Sequence, residues 1–282
     1  MIISVEKMKQ AKNWWFFKFT RDFKSIKNPN VTFLISFPKC GVTWLRAMLC
    51  HVLIENYHLP ENKHTVLLNE LTSNYSILPK IVWTHEDSLI VTESGKYNDP
   101  KKLFEYGGRL CYRRNKIIML VRDPRDVVVS HYYQVSKRTY NPLEVGSLSN
   151  FVRHPLYGFN RIIRFYQIWN WNRWLMKDFL IVRYEDLMND GPATLLQILK
   201  FLGLSEIDQK ILNEVYRLNQ AENLRSLEKS NKVEGMRVFG SDDNSLKVRK
   251  AKIGSYKEEL LEEDIDYCND LMKNCPKIYG YY

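Results

Sequence analysis

The chain has 282 residues, 45% hydrophobic and 13% aromatic, and its 42 basic and 32 acidic side chains give a formal net charge of +10. This length and composition predict one large α/β core or two small ones, and they exclude a low-complexity or disordered chain. The positive charge is compatible with nucleic acid, an anionic membrane surface or a multiply charged nucleotide as partner, without choosing between them.

The five cysteines are an odd number without a C-x-x-C pair, so they indicate neither a disulfide framework nor a zinc site. No stretch approaches the roughly 20 consecutive apolar residues of a membrane span. The N-terminal residues are interrupted by charge too early for a signal peptide. We therefore expect reduced thiols in a cytoplasmic protein without an integral membrane segment.

Residues 1–30 are a basic, aromatic lead-in. We predict that this lead-in packs on the edge of the domain, and a helix lying on a membrane surface is the alternative. Residues 31–282 are predicted to form a single domain.

The apolar run over residues 32–36 predicts a buried strand. A turn containing Lys39 and Gly41 follows, and a helical pattern begins at Val42. A strand, a tight turn and a helix start together point backbone N–H groups and the positive end of the helix at an anion. The sequence therefore predicts a phosphate-binding turn, which we call the phosphate loop (residues 36–44).

The phosphate loop reads Ser-Phe-Pro-Lys-Cys-Gly-Val-Thr-Trp. It differs from the loop of nucleoside triphosphatases, because Lys39 precedes Gly41 and no upstream glycine stands in the right position. It resembles the 5′-phosphosulfate-binding loop of the sulfotransferases, usually Pro-Lys-Ser/Ala-Gly-Thr-Thr-Trp. Those enzymes use 3′-phosphoadenosine 5′-phosphosulfate (PAPS). The resemblance implies that the donor is bound by Lys39, Cys40, Gly41, Val42, Thr43 and Trp44.

Residues 80–85 predict a second strand that ends in polar residues. Ligands of open parallel sheets collect at the carboxyl ends of strands, although a histidine taken alone is more often structural. In the sulfotransferases this strand commonly ends Lys-Thr-His, and Trp83-Thr84-His85 matches two of the three residues. The resemblance implies that His85 is the base for the acceptor hydroxyl. Lys39 would then stabilise the charge that develops on the transferred group.

Residues 117–121 are a continuous apolar run of the kind buried on both faces of a sheet, and the next residues suit a helix start. The stretch Val-Arg-Asp-Pro-Arg-Asp-Val-Val-Val-Ser resembles the family's 3′-phosphate motif, Arg-Asn/Asp-Pro-x-Asp-x-x-x-Ser. The resemblance implies that Arg122 and Ser130 bind the 3′-phosphate, a group that the planar guanidinium suits. We also count Ser130, with His85 and Lys39, among the catalytic residues.

Aromatic residues at helical spacing predict one core-packing helix over residues 148–175. A buried strand is expected over residues 179–184. The sequence Tyr-Glu-Asp-Leu that starts at Tyr184 resembles the family's Tyr-Glu-Asp-Leu, which implies that Tyr184 approaches the adenine. Further helices are predicted over residues 192–201, 205–218 and 257–274.

Residues 219–256 are expected to be partly irregular. Near their end, Arg-Lys-Ala-Lys-Ile-Gly (the flap, residues 249–254) stands where the sulfotransferases place Arg-Lys-Gly-x-x-Gly. A charge run is usually a solvated face. The resemblance instead implies that Arg249, Lys250 and Ala251 cover the 3′-phosphate, with Ala251 replacing a glycine.

The matches follow the family's order and imply a single α/β domain with a central parallel sheet and helices on both faces. They predict a PAPS-dependent sulfotransferase that requires no metal and sulfates a hydroxyl or amine of a small-molecule acceptor. Glu86 and Asp87 follow His85 and favour a polar or cationic natural product, unless they only cap the next helix. The oligomeric state stays open.

Two rival functions remain at this point. A nucleotide kinase or hydrolase would need Mg²⁺ held by carboxylates such as Glu185 and Asp186, but the Gly-Lys-Ser/Thr signature is missing. A nucleic-acid-binding module would use the basic flap and the aromatic residues of the lead-in. We prefer the sulfotransferase reading and expect no nucleic-acid partner.

Overall fold

The computed structural model describes residues 25–85, 111–138, 145–155, 157–236 and 246–281. Within these ranges the sheet has four parallel strands in the order β2-β1-β3-β4. They are β1 (Val31–Ser36), β2 (Lys80–Thr84), β3 (Lys116–Val121) and β4 (Asp178–Arg183).

The two central strands, β1 and β3, are buried at nearly every residue. Because successive residues of a strand face opposite sides of the sheet, this burial means that both faces are covered. The edge strands β2 and β4 are only partly buried. The arrangement confirms the predicted α/β class with a central parallel sheet.

Helices follow the strands and cover the sheet. Helix α1 begins directly after the phosphate loop and is buried along most of its length, as expected of a helix inside an α/β core. The helices are α1 (Val42–Asn56), α2 (Leu68–Asn74), α3 (Pro124–Lys137), α4 (Leu148–Val152), α5 (Phe159–Asn172), α6 (Tyr184–Asn189), α7 (Gly191–Phe201), α8 (Gln209–Leu218), α9 (Ala221–Lys229) and α10 (Glu262–Met272).

The helix predicted over residues 148–175 is two helices, α4 and α5, followed by a short 3₁₀ turn. Pro155 separates them, because a proline disfavours helical conformation in the preceding residue and lacks an N–H. Ile162, Tyr166 and Trp169 in α5 are fully buried. The prediction of a core-packing segment was therefore right and that of one continuous helix was wrong.

Two other boundaries differ from the prediction. Helix α8 starts at Gln209 rather than near Ser205, because the Asp208 carboxylate caps it by accepting from the Lys210 N–H at 2.8 Å. The C-terminal helix α10 starts at Glu262, after a 3₁₀ turn over Ser255–Glu258. The stretch expected to be partly irregular, residues 219–256, contains helix α9.

The lead-in prediction concerns residues 1–30, most of which lie outside the described part of the chain. Its packing on the domain stays a prediction, as does the domain boundary at residue 31. Among the described residues, no helix is both long and apolar enough to cross a membrane.

Candidate active site

A cavity of about 340 Å³ opens at the carboxyl ends of β1, β2 and β3. The parallel register places these ends side by side, with Ile35 beside Thr84 and Ser36 beside Leu120. The residues that follow the three strands therefore share one edge of the sheet. Of the predicted site residues, the cavity is lined by Lys39, Gly41, Val42, Thr43, Trp44, His85, Arg122, Ser130, Tyr184, Arg249, Lys250 and Ala251.

Within the phosphate loop, Gly41 directly precedes α1 with a φ of 93° and provides no side-chain cap. The first turn of the helix therefore keeps N–H groups without intrahelical acceptors, facing the cavity with the positive end of the helix dipole. A Cβ on Gly41 would lie 2.6 Å from Cδ2 of Tyr184. Both the positive φ and the close tyrosine ring therefore require glycine here.

Cys40 is the one predicted donor-binding residue that does not line the cavity. Its side chain is fully buried, and its Sγ lies 3.5 Å from the Tyr166 hydroxyl. Its backbone N–H donates to the Phe37 carbonyl at 3.4 Å. Burial raises the pKa of the thiol to about 12, so Cys40 is a neutral core residue.

The His85 ring is oriented by the end of β1. Its Nδ1 lies 2.8 Å from the Ser36 carbonyl oxygen and 3.3 Å from the Ser36 hydroxyl. A carbonyl oxygen only accepts, so Nδ1 carries the proton and Nε2 holds the basic lone pair. This is the tautomer that a general base requires, with Nδ1–H already held for the protonated state.

The Lys39 ammonium enters the cavity from a backbone with a φ of 77° and donates to Oε1 of Gln134 at 3.3 Å. Desolvation, together with the nearby charges of Arg138, Lys247 and Arg122, lowers the pKa of Lys39 to about 7. An anion bound beside Lys39 would reverse this effect by stabilising its protonated form.

Arg122 and Asp126 form the second charged cluster of the cavity. The Arg122 guanidinium lies 3.3 Å from the Asp126 carboxylate, donates to the Lys252 carbonyl at 3.1 Å and stacks on the Tyr184 ring. Its Nε is buried and has no hydrogen-bond acceptor among the described residues. A buried donor without a partner is costly, so an anion such as phosphate fits this position.

The flap is fixed by carboxylates on both sides. Asp126 accepts from the backbone N–H groups of Gly254 and Tyr256, at 2.8 and 3.0 Å. Arg249 makes a two-point ion pair with Glu259, and Lys250 lies 3.1 Å from both Glu258 and Glu259. The two predicted phosphate ligands are therefore already paired, and a bound phosphate would have to share them.

Ala251 has a φ of 50°, in the left-handed region that glycine occupies without strain. The glycine usual in the resembling motif would fit this backbone, and the alanine adopts a conformation that suits glycine better.

The profile of the sulfotransferase domain matches residues 29–280 of this chain. The chain belongs to this family. Among its relatives is the flavonol 4′-sulfotransferase of Flaveria chlorifolia, 26% identical over 254 residues that span 83% of this chain and 75% of the relative. Another is the 3-alpha-hydroxysteroid sulfotransferase of Cavia porcellus, 24% identical over 237 residues, spanning 81% and 77%.

Solved structures have the same fold. Retinol dehydratase in complex with androsterone and the inactive cofactor PAP matches with a TM-score of 0.59 and 18% identity, covering 88% of this chain and 80% of the other. A mouse sulfotransferase complexed with PAP matches with a TM-score of 0.57 and 17% identity, covering 88% and 84%. Together these likenesses confirm the predicted family, fold and enzyme class.

The structure adds residues to the sulfotransferase cavity that the sequence did not single out. Asp126 is part of the Arg-Asp-Pro-x-Asp pattern, and its position four residues after Arg122 on the start of α3 could have indicated an ion pair. Met188 and Leu224 join Trp44 and Ala221 in an apolar part of the lining. Gln134 and Lys247 also line the cavity, and no local pattern marks them.

Of the two predictions about carboxylates, only the one for Glu185 concerns a described residue. Glu86 and Asp87 lie outside the described residues, so their contact with an acceptor stays a prediction. Glu185, named for the rival metal site, accepts from the Asp123 N–H at 3.0 Å and the Tyr281 hydroxyl at 2.7 Å. Both of its oxygens therefore have structural roles.

We expect the Lys39→Met variant of this sulfotransferase to be more stable than the parent near pH 6–7. The unfolded chain holds the lysine proton more tightly than the folded protein does. The cost of the buried charge is therefore fully present below pH 7, and it disappears as the pH rises through 10.5. The Lys39 residue as a whole is only half-buried, so solvent screening reduces the expected gain to on the order of 2 kcal/mol.

Calorimetric unfolding at pH 6 and pH 9.5 would check this expectation. The difference in Tm between the two proteins should shrink at the higher pH. An equal gain in Tm at pH 6 and at pH 9.5 would contradict the lowered pKa of Lys39.

Proposed function

We propose that this sulfotransferase moves the sulfuryl group of PAPS to a hydroxyl or amine of a small-molecule acceptor, with His85 as the base. One observation supports the proposal above all: a single cavity brings together two candidate anion sites and a histidine in the tautomer of a base. The anion sites are the phosphate loop with Lys39, and the Arg122 cluster with the flap.

The phosphate loop would hold the 5′-phosphosulfate. Its free N–H groups, the Thr43 hydroxyl and the Lys39 ammonium are the donors available there. The buried Arg122 Nε, which lacks an acceptor, supports a phosphate at the second site beside Ser130. The apolar lining residues Trp44, Met188 and Leu224 would accommodate adenine. PAP in the related solved structures is consistent with this arrangement.

PAPS supplies an activated sulfuryl group whose bond to the phosphate oxygen breaks as a bond from the acceptor oxygen to sulfur forms. The Nε2 of His85 takes the acceptor's proton, while the Ser36 carbonyl stabilises the imidazolium through Nδ1–H. The Lys39 ammonium and the loop N–H groups stabilise the negative charge that grows on the phosphate. Fixed positive charge performs this role, so the proposal includes no metal.

The names of the relatives guide the proposal for the acceptor. Flavonol and hydroxysteroid sulfotransferases are named for small hydroxylated molecules. We propose a hydroxyl of a small natural product as the first class to screen. The amine, and the cationic acceptor inferred from Glu86 and Asp87, are the next classes.

Calorimetric titration with PAP and with AMP, both in EDTA, tests the donor site. The two nucleotides differ by the 3′-phosphate, so we expect PAP to bind about 100-fold more tightly than AMP. Equal binding would overturn the proposal. Binding that requires Mg²⁺ would favour the kinase or hydrolase function.

A further inference from the structure

Lys247 lines the cavity, two residues before the flap. Its backbone is held from helix α9: the N–H groups of Lys247 and Val248 donate to the Glu228 carboxylate at 2.7 and 3.2 Å. Arg225 donates to the carbonyls of Val248 and Arg249 at 3.0 and 2.6 Å. The segment that bears Lys247 is therefore fixed at the cavity wall by α9 rather than left as a solvated loop.

Lys247 and Lys39 share two charged neighbours, Arg138 and Glu228. Glu228 is buried, and Arg138 and the two backbone N–H groups already occupy its oxygens. Burial, with the charges of Arg138 and Arg46, lowers the pKa of Lys247 to about 8, while Glu228 partly opposes this. Lys247 and Lys39 also repel one another. An anion between them would relieve this excess of positive charge.

The cations of the Arg122 cluster and of the flap, by contrast, are neutralised by carboxylates. Arg122, Arg249 and Lys250 each have a carboxylate partner. Among the described residues, neither Lys39 nor Lys247 is within ion-pair distance of a carboxylate. The two lysines thus share the part of the cavity in which positive charge is not yet neutralised.

We propose that Lys247 is a second cationic ligand of the donor's sulfuryl end, acting beside Lys39. The proposal rests on the proposed function, since the ligand is its donor. Trp83 lines the same cavity at the position where the family commonly has the lysine of Lys-Thr-His. In this chain β2 therefore brings no cation to the cavity, and Lys247 supplies one from a distant segment of the chain.

The test compares Lys247→Met with the parent in titrations with PAPS without acceptor, with PAP, and with AMP. The expected result is about 10- to 100-fold weaker binding of PAPS, the range of one or two charge-assisted hydrogen bonds. The loss for PAP should be smaller, because PAP lacks the sulfuryl group. Lys247→Arg should retain part of the affinity. Lys232→Met, at an exposed position away from the cavity, is the matched control.

A second measurement gives the number of protons that the protein takes up when it binds PAPS. Anion binding should raise the pKa of both lysines, so at pH 8 the parent takes up protons on binding PAPS, and the methionine variant takes up fewer. Titration heats in two buffers of different ionisation enthalpy give this number. If a low Tm shows that Lys247→Met is poorly folded, Lys247→Gln replaces it in both measurements.

Unchanged PAPS affinity and unchanged proton uptake would overturn the proposal, as would a rise confined to the KM of the acceptor. These results differ from a failure of the proposed function. If the proposed function failed, the parent itself would bind PAP no better than AMP. If only the role of Lys247 failed, the parent would still prefer PAP to AMP, and the Lys247 variants would bind PAPS as the parent does.

Discussion

Replacing His85 by glutamine is expected to lower kcat by about 100-fold or more, with PAP affinity nearly unchanged. Glutamine can still donate to the Ser36 carbonyl, which holds His85 Nδ1 at 2.8 Å, but it cannot take a proton from the acceptor. Steady-state kinetics with a screened acceptor, beside a PAP titration, measures the two effects separately.

His58→Asn is the matched control, because His58 is exposed and away from the cavity. Its backbone φ of 50° is one that asparagine tolerates. A loss of PAP affinity in His85→Gln equal to the loss in rate would indicate a binding role. A nearly normal kcat would remove His85 as the base.

The second large effect is expected for Arg122→Gln, which should bring the affinities for PAP and AMP close together. Among the described side chains that line the cavity, only the Arg122 guanidinium has a buried N–H that lacks an acceptor. Its loss should cost PAP about 10- to 100-fold in affinity and leave AMP nearly unaffected, since AMP has no 3′-phosphate. Titrations with both nucleotides give the ratio directly.

The same variant tests the stability of the flap. Asp126 loses its ion pair with Arg122 but keeps the hydrogen bonds from Gly254, Ser255 and Tyr256. We therefore expect a lower Tm with the fold retained. Arg217→Gln, at an exposed ion pair with Glu214, should change neither the Tm nor the ratio of affinities. A PAP preference that survives in Arg122→Gln would place the 3′-phosphate elsewhere.

The strands and the main helix starts could be predicted because their causes are local. The apolar runs of β1 and β3 permit only buried strands, and Asp123 caps α3 through the Arg125 N–H at 2.9 Å. The boundaries failed where two local signals competed. Ser205 and Asp208 are both possible caps for α8. Pro155 interrupts an aromatic pattern that otherwise fits one helix.

Within the site, residue types were predictable and side-chain directions were not. Cys40 stands between two cavity residues, yet its thiol faces Tyr166, which lies 126 residues further along the chain. The loop turns through the left-handed conformations of Lys39 and Gly41, and this turn sends the intervening side chain into the core. The sequence predicts the turn itself, but no periodicity in it reports the direction in which the turn sends the Cys40 side chain.

The sequence alone determined the family, the order of the strands along the chain, and many of the residues that line the cavity, because motif spacing and apolar runs are local properties. Only the tertiary structure decided which charges meet. It paired Arg249 with Glu259 and tied Asp126 to the end of the flap. It also placed Lys247 in the cavity with Lys39. Such pairs form between distant segments, and burial then sets their pKa values, so neither could be obtained from spacing along the chain.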